Sequence, residues 1–84
     1  MADLKIGRVT HYYDKIGVAI VELTSSLSVG DKIKFARGGE DLFTEEVKSI
    51  QIEHEQKDSA GKGEVVGLKV ESEVKEGAEV FKVE

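Results

Sequence analysis

Residues 26–35 read SLSVGDKIKF, and this stretch decides the fold. Charged and apolar residues alternate from Lys32 to Phe35, so Ile33 and Phe35 share one face of a strand and Lys32 and Lys34 the other. Gly30-Asp31 supplies the turn that starts this strand. Leu27 and Val29 form a short apolar clamp ahead of the turn. The same grammar of short strands and tight turns runs outward in both directions.

Upstream, Leu4 to Tyr13 reads as a first strand whose phase breaks at Gly7, the mark of a bulge or a close backbone approach. Asp14-Lys15-Ile16-Gly17 turns the chain. Val18 to Leu23 is apolar on both faces, as expected of a strand enclosed in a barrel or sandwich. Thr24 to Ser28 reads as a small-polar loop. Downstream, Lys32 to Ala36 is the third strand, and Arg37-Gly38-Gly39-Glu40-Asp41 is a tight exposed connection. Leu42 to His54 reads as one long β segment with a phase shift near Ser49, because the inward set begins Phe43, Val47 and ends Ile50, Ile52. Glu55 to Lys62 is polar, with room for a helical turn. Glu64 to Val70 places Val66, Leu68 and Val70 on one face, and Ala78 to Val83 closes the chain. Gly30, Gly63 and Gly77 each start a strand after a turn, which reuse of one turn chemistry explains.

With no long helical period, these elements predict an all-β fold over residues 1–84 as a single domain. At this length a small closed β-barrel of about six strands is expected, because closure removes exposed edges. A chain this short buries only roughly 60–65% of its unfolded surface, so the core is small. There is no cysteine, which excludes disulfides and thiolate metal sites and fits a reducing compartment. No apolar run reaches the ~18 residues of a membrane helix. A cytoplasmic protein with no membrane partner is the default expectation.

The net charge of −5 is unevenly spread. Residues 1–37 hold six basic and four acidic residues, a net of +2; residues 38–84 hold six basic and thirteen acidic, a net of −7. This balance counts against a uniformly basic nucleic-acid binder, while one weakly basic face remains. The phosphate-cradling Walker pattern, the nucleophile elbow and the zinc-protease helix motif are all missing. No nucleophile, base and metal appear in a positioned set, so no enzyme and no cofactor are expected. Glu53-His54-Glu55 has metal-ligand residue types, but a strand would point His54 away from both carboxylates. No metal site is expected there.

The densest patch is His11-Tyr12-Tyr13-Asp14-Lys15. Aromatic rings beside a histidine and a lysine suit base stacking and phosphate contact. The preferred alternative is packing, with one tyrosine in the core and the other over the strand end. Arg8 and Arg37 are the only arginines, and either is suited to phosphate.

Leu27-Ser28-Val29-Gly30-Asp31-Lys32-Ile33 resembles the hairpin of the second domain of translational GTPases of the elongation factor Tu family. The order continues. Ile6 to Val9 with Val18 to Val21 looks like that family's opening strand pair. Glu46 to Ile50, Ala60 to Leu68 and Lys75 to Val80 look like its later strand and turns. The resemblance implies a small closed barrel without the GTPase domain, and a translation-factor binding module that contacts RNA or the ribosome. Arg8, His11, Tyr12, Lys15, Arg37 and His54 are the candidate RNA-binding residues on this basis. The asparagine that helps hold the aminoacyl end of tRNA in elongation factor Tu is replaced here by Val65, so that contact does not carry over. Two other groups share the look. The C-terminal barrel of collagenase-like peptidases also carries a Val-Gly-Asp strand, and the small barrel subunit of H/ACA ribonucleoproteins has an opening similar to Gly7 to Tyr12. The alternative function is a protein-interaction module that docks a partner GTPase, a peptidase-like enzyme or a second copy of itself, with its acidic half towards a basic partner. The sequence leaves the oligomeric state open.

Overall fold

The Ser28–Asp31 turn is built by its own ends. The Asp31 N–H donates to the Ser28 carbonyl at 3.1 Å, and the Ser28 N–H donates back to Asp31 Oδ2 at 2.9 Å. Gly30 sits at φ +97°, the third position of a turn that only glycine fills without strain. Lys82 Nζ, 3.3 Å from the same Asp31 carboxylate, ties the turn to the last strand. Val29 at the turn's second position is exposed, so the expected clamp reduces to Leu27, which is fully buried.

A computed structural model describes residues 4–53 and 55–83. Its strands are β1 (Leu4–Tyr13), β2 (Val18–Leu23), β3 (Leu27–Ser28), β4 (Lys32–Arg37), β5 (Glu40–Glu46), β6 (Ile50–Ile52), β7 (Glu55–Lys57), β8 (Ser59–Ala60), β9 (Val65–Lys69) and β10 (Glu79–Lys82). The domain is all-β, as the alternation predicts. Eight strands form one antiparallel sheet in the order β5-β4-β10-β1-β2-β9-β6-β7, and β3 pairs with β8 as a separate ribbon.

Residues from β1, β2, β4, β6, β9 and β10 join one core cluster, to which the ribbon adds Leu27 and Ala60. Strands from both halves of the sheet can share one core only if the sheet curls around it. Closure differs from the expectation. Among the described residues the terminal strands β5 and β7 do not pair with each other, and there are ten strands rather than about six. Backbone edges therefore remain. They carry Glu40, Asp41, Glu45 and Glu46 on one side and Glu55 and Lys57 on the other, charges that discourage strand addition.

The phase break at Gly7 is a real irregularity, a register shift between Lys5 and Gly7 against β10. A Cβ on Gly7 would lie 2.6 Å from the Glu22 carbonyl oxygen, so the strand approaches β2 too closely for any side chain. The break near Ser49 is also observed. The single long segment expected over 42–54 is divided into β5 and β6 by Val47-Lys48-Ser49. Val47 is buried there and exchanges backbone hydrogen bonds with Asp31 and Gly30, both at 2.8 Å. The helical turn allowed for 55–62 is not formed. Those residues make β7 and β8, two short polar strands.

Candidate docking groove

Strands β1, β2, β9 and β6 lie side by side, and their register fixes what faces outward. His11 pairs with Ile20, Ile20 with Gly67, and Gly67 with Gln51, giving a middle row across the outer face. Tyr13, Val18 and Lys69 form the row nearer the β1–β2 turn. Arg8, Glu22 and Val65 form the row at the other end. The inward partners Val21, Val66, Ala19 and Leu68 fill the core.

This outer face is not flat. Tyr13, Ile16, Val18, Ile20, Gln51, Glu53, Val65, Val66 and Gly67 line an open groove of about 290 Å³. Three of the lining side chains are large, apolar and half-exposed: Tyr13 at 48%, Ile16 at 57% and Val65 at 49%. Gly67 keeps the floor low, since a Cβ there would meet Val18 Cγ1 at 3.2 Å and Ile20 Cδ1 at 3.6 Å. At the rim Glu53 turns the chain into β7 with φ +51°, alone among the described non-glycine residues in the left-handed region. That conformation costs about 1–2 kcal/mol. The β1–β2 turn forms the opposite rim. There the Lys69 ammonium donates to the Ile16 carbonyl at 2.8 Å, and the Gly17 N–H donates to the Tyr13 carbonyl at 2.9 Å. An apolar concavity with polar ends is what protein partners use as an anchor point.

The residues singled out from the sequence fall in several places. Arg8 lies on the outer face with its Nη2 4.0 Å from Glu22 Oε1. His11 Nδ1 is 2.7 Å from Glu76 Oε2, and the ring meets Tyr13 edge-on at 4.4 Å between centroids. Both basic groups thus stand beside a carboxylate, which offsets the positive field a phosphate would need. Tyr12 points inward against the core while Tyr13 stays outside, the packing alternative for the pair. Lys15 is exposed in the turn beside Ile16. Arg37 ends β4 at the Gly38-Gly39 hairpin, separated from β1 by β10, and does not share the groove. His54 lies outside the described residues. Glu53 lies in the turn after β6 and Glu55 begins β7, so the two carboxylates are not on one continuous strand. Among the described residues no three His, Asp or Glu side chains gather as metal ligands.

Sequence reading missed the groove. Its signal was Val18 to Val21, apolar on both faces, followed by Val65 and a glycine within β9. Apolarity on both faces predicts enclosure; in the structure one face is the core and the other is this groove.

Sheet, core and groove define a small all-β domain with an open apolar groove on its outer face. No family model matches the chain. A protein of Methanocaldococcus jannaschii named an uncharacterized protease is 41% identical over 78 residues, which is 93% of this chain and 19% of the relative. The chain therefore spans about a fifth of the length of that relative. Among solved structures, the C-terminal domain of a Geobacillus thermoleovorans protein named for the U32 peptidases superposes with a TM-score of 0.88 at 23% identity. The match covers 96% of this chain and 93% of that one. The selenomethionine form of the same domain gives 0.86 at 24% identity, covering 93% and 98%. At that identity the structures establish the fold alone.

These relatives overturn the elongation factor Tu assignment and, with it, the translation-factor module contacting RNA or the ribosome. Both comparisons lead to peptidase-named proteins. The physical reason for the error is that the Val-Gly-Asp turn and strand encode a way of starting a β-hairpin. Several small β domains share that geometry without sharing a ligand. Among the described residues no helix is long and apolar enough to cross a membrane, a statement that bears on helices only.

Proposed function

We propose that this domain is a non-catalytic docking module that works with a peptidase-like catalytic unit and meets it through the groove. The observation that carries this is the coverage of the archaeal relative. Nearly all of this chain matches, and four-fifths of the protease-named protein lies elsewhere. A module of this kind contributes contact surface, and the groove between Tyr13, Ile16 and Val65 is the apolar surface suited to it. Of the partners considered from the sequence, the peptidase-like enzyme is favoured over a GTPase or a second copy. The cysteine-free composition fits a reducing compartment, and we place the module in the cytoplasm.

The test is reconstitution. The Methanocaldococcus relative is made without its matching 78-residue stretch and titrated with this chain by calorimetry and sedimentation. A saturable complex is expected, weakened at least severalfold by Val65→Glu, which places a charge in the groove wall. No complex at tens-of-micromolar concentrations, or a complex indifferent to Val65→Glu, overturns the proposal.

A further inference from the structure

The two ends of the groove carry opposite charge. At the β1–β2 turn end stand Lys69, whose ammonium sits on the Ile16 carbonyl at 2.8 Å, and the exposed Lys15, with Asp14 beside it. At the far end stand Glu53 in the lining and Glu22 in the Arg8 row, where Arg8 offsets Glu22 only weakly at 4.0 Å. Between them the floor is Ile20 and Gly67, apolar and without a blocking Cβ. Along β9, Lys69, Gly67 and Val65 are alternate residues, so the lysine end and the acidic end lie four residues apart, roughly 13 Å.

An extended segment laid over this face has the same repeat. Its residues at alternate positions point the same way and are spaced as the groove's own rows. A partner that places an apolar side chain over Gly67 therefore holds the residues two positions to either side above Lys69 and above Val65, where Glu22 and Glu53 stand alongside. Charge complementarity fixes their signs. We infer that, if the groove is the docking surface proposed above, its occupant is an extended partner segment with an apolar residue bracketed at i−2 and i+2 by one acidic and one basic residue. The acidic residue lies over the lysine end and the basic residue over Val65, within reach of Glu53 and Glu22. The apolar anchor supplies the affinity, and the bracketing charges select the segment. A second copy of this chain fits less well, because two facing concavities leave the centre of the contact unfilled.

The experiment uses the full chain and three synthetic heptapeptides with a central Leu, followed by amide chemical shifts at about 0.1 M salt, where charges beyond roughly 10 Å are screened. One peptide carries Glu and Lys at the bracketing positions, one carries two Glu, and one carries two Lys. The mixed peptide is expected to shift Ile20, Val65 and Gly67 saturably. Each like-charged peptide is expected to bind roughly two- to fivefold more weakly. Glu53→Lys is expected to move the preference to the peptide with two Glu. Gly67→Val is expected to abolish the shifts, and Val65→Glu serves the same purpose if the valine variant does not fold. Equal binding of all three peptides, tightest binding by the two-Lys peptide, or shifts away from the groove would overturn the inference. Binding to the trimmed relative separates the levels. A complex sensitive to Val65→Glu together with indifferent peptides removes the bracketed segment and leaves docking standing. Absence of both removes docking itself.

Discussion

Gly7→Ala tests whether the β1–β2 pair that forms the back wall of the groove is as close as it looks. The methyl carbon would lie 2.6 Å from the Glu22 carbonyl oxygen, 2.9 Å from Val21 Cγ1 and 3.3 Å from Leu23 Cα. Two of these three atoms are backbone in the paired strand and cannot rotate away. Overpacking of this kind costs about 3 kcal/mol, and the stiffer unfolded chain of alanine returns about 0.5–1 kcal/mol. A net loss of about 2 kcal/mol corresponds to a fall in Tm of roughly 8–16 °C for a domain of this size. Gly67→Ala is the internal control. Its new carbon meets the side-chain atoms of Val18 and Ile20 at 3.2 and 3.6 Å and the Gln51 carbonyl oxygen only at 3.9 Å. The side chains can yield, so that variant is expected to stay within about 1 kcal/mol of the parent. Paired thermal and urea melts followed by circular dichroism decide the matter. Equal Tm values for the two variants would show that β1 and β2 separate freely and that the steric account is wrong.

Two further outcomes follow from the core and the surface. Phe35→Ala removes a fully buried ring that lies 4.8 Å from the Phe43 ring, and is expected to cost about 3–5 kcal/mol in a urea melt. That is a large share of the ~4–13 kcal/mol available to 84 residues, and a loss below about 1 kcal/mol would show that the core repacks around the gap. Lys48→Met addresses the fully exposed Lys48–Glu71 pair. The hydrogen bond and charge of Lys48 hold the Glu71 carboxyl below its ordinary 4.5, and the same contact raises Lys48 above 10.5. A depressed carboxylate contributes stability that is present above its unfolded value and lost as pH falls through its folded value. The raised lysine contributes stability that is present below its unfolded value and lost as pH rises through its folded one. The parent's small advantage over the variant should therefore hold at neutral pH and vanish at both extremes. In NMR titrations the Glu71 carboxyl of the variant should titrate higher, and an unchanged Glu71 curve would show that the pair does not persist in solution.

Strands with one wet and one dry face announced themselves in the sequence. The Lys32 to Phe35 alternation, the Val66-Leu68-Val70 set and the breaks at Gly7 and near Ser49 are all present in the structure. Strands without a dry face did not. Glu55-Gln56-Lys57 is exposed at every position and is extended only because it pairs with β6, a fact no local pattern carries. The strand β3 has a buried residue, Leu27, but at two residues it is too short to show a period, and its partner lies some thirty residues along at Ser59–Ala60. The groove illustrates a different limit. Its walls come from four segments that meet only through register, and each of its valines and isoleucines looks like a core residue when read alone. The turn motif was legible as structure and misleading as identity, because Gly30 and Asp31 are where they are to satisfy a backbone, whatever the domain binds.

The place of β10 in the sheet has a consequence for synthesis. Residues 79–82 are the last strand in chain order, yet they lie between β4 and β1 and pair with both. A nascent chain that has made everything up to Gly77 still has a gap through the middle of its sheet, with β1 and β4 each facing an absent neighbour. The core residues Ala78 and Val80 are missing at that moment too. Within the domain β1 and β4 are joined only through β10, across more than forty residues of chain in each pairing, so the sheet closes late and together with the burial of Ala78 and Val80.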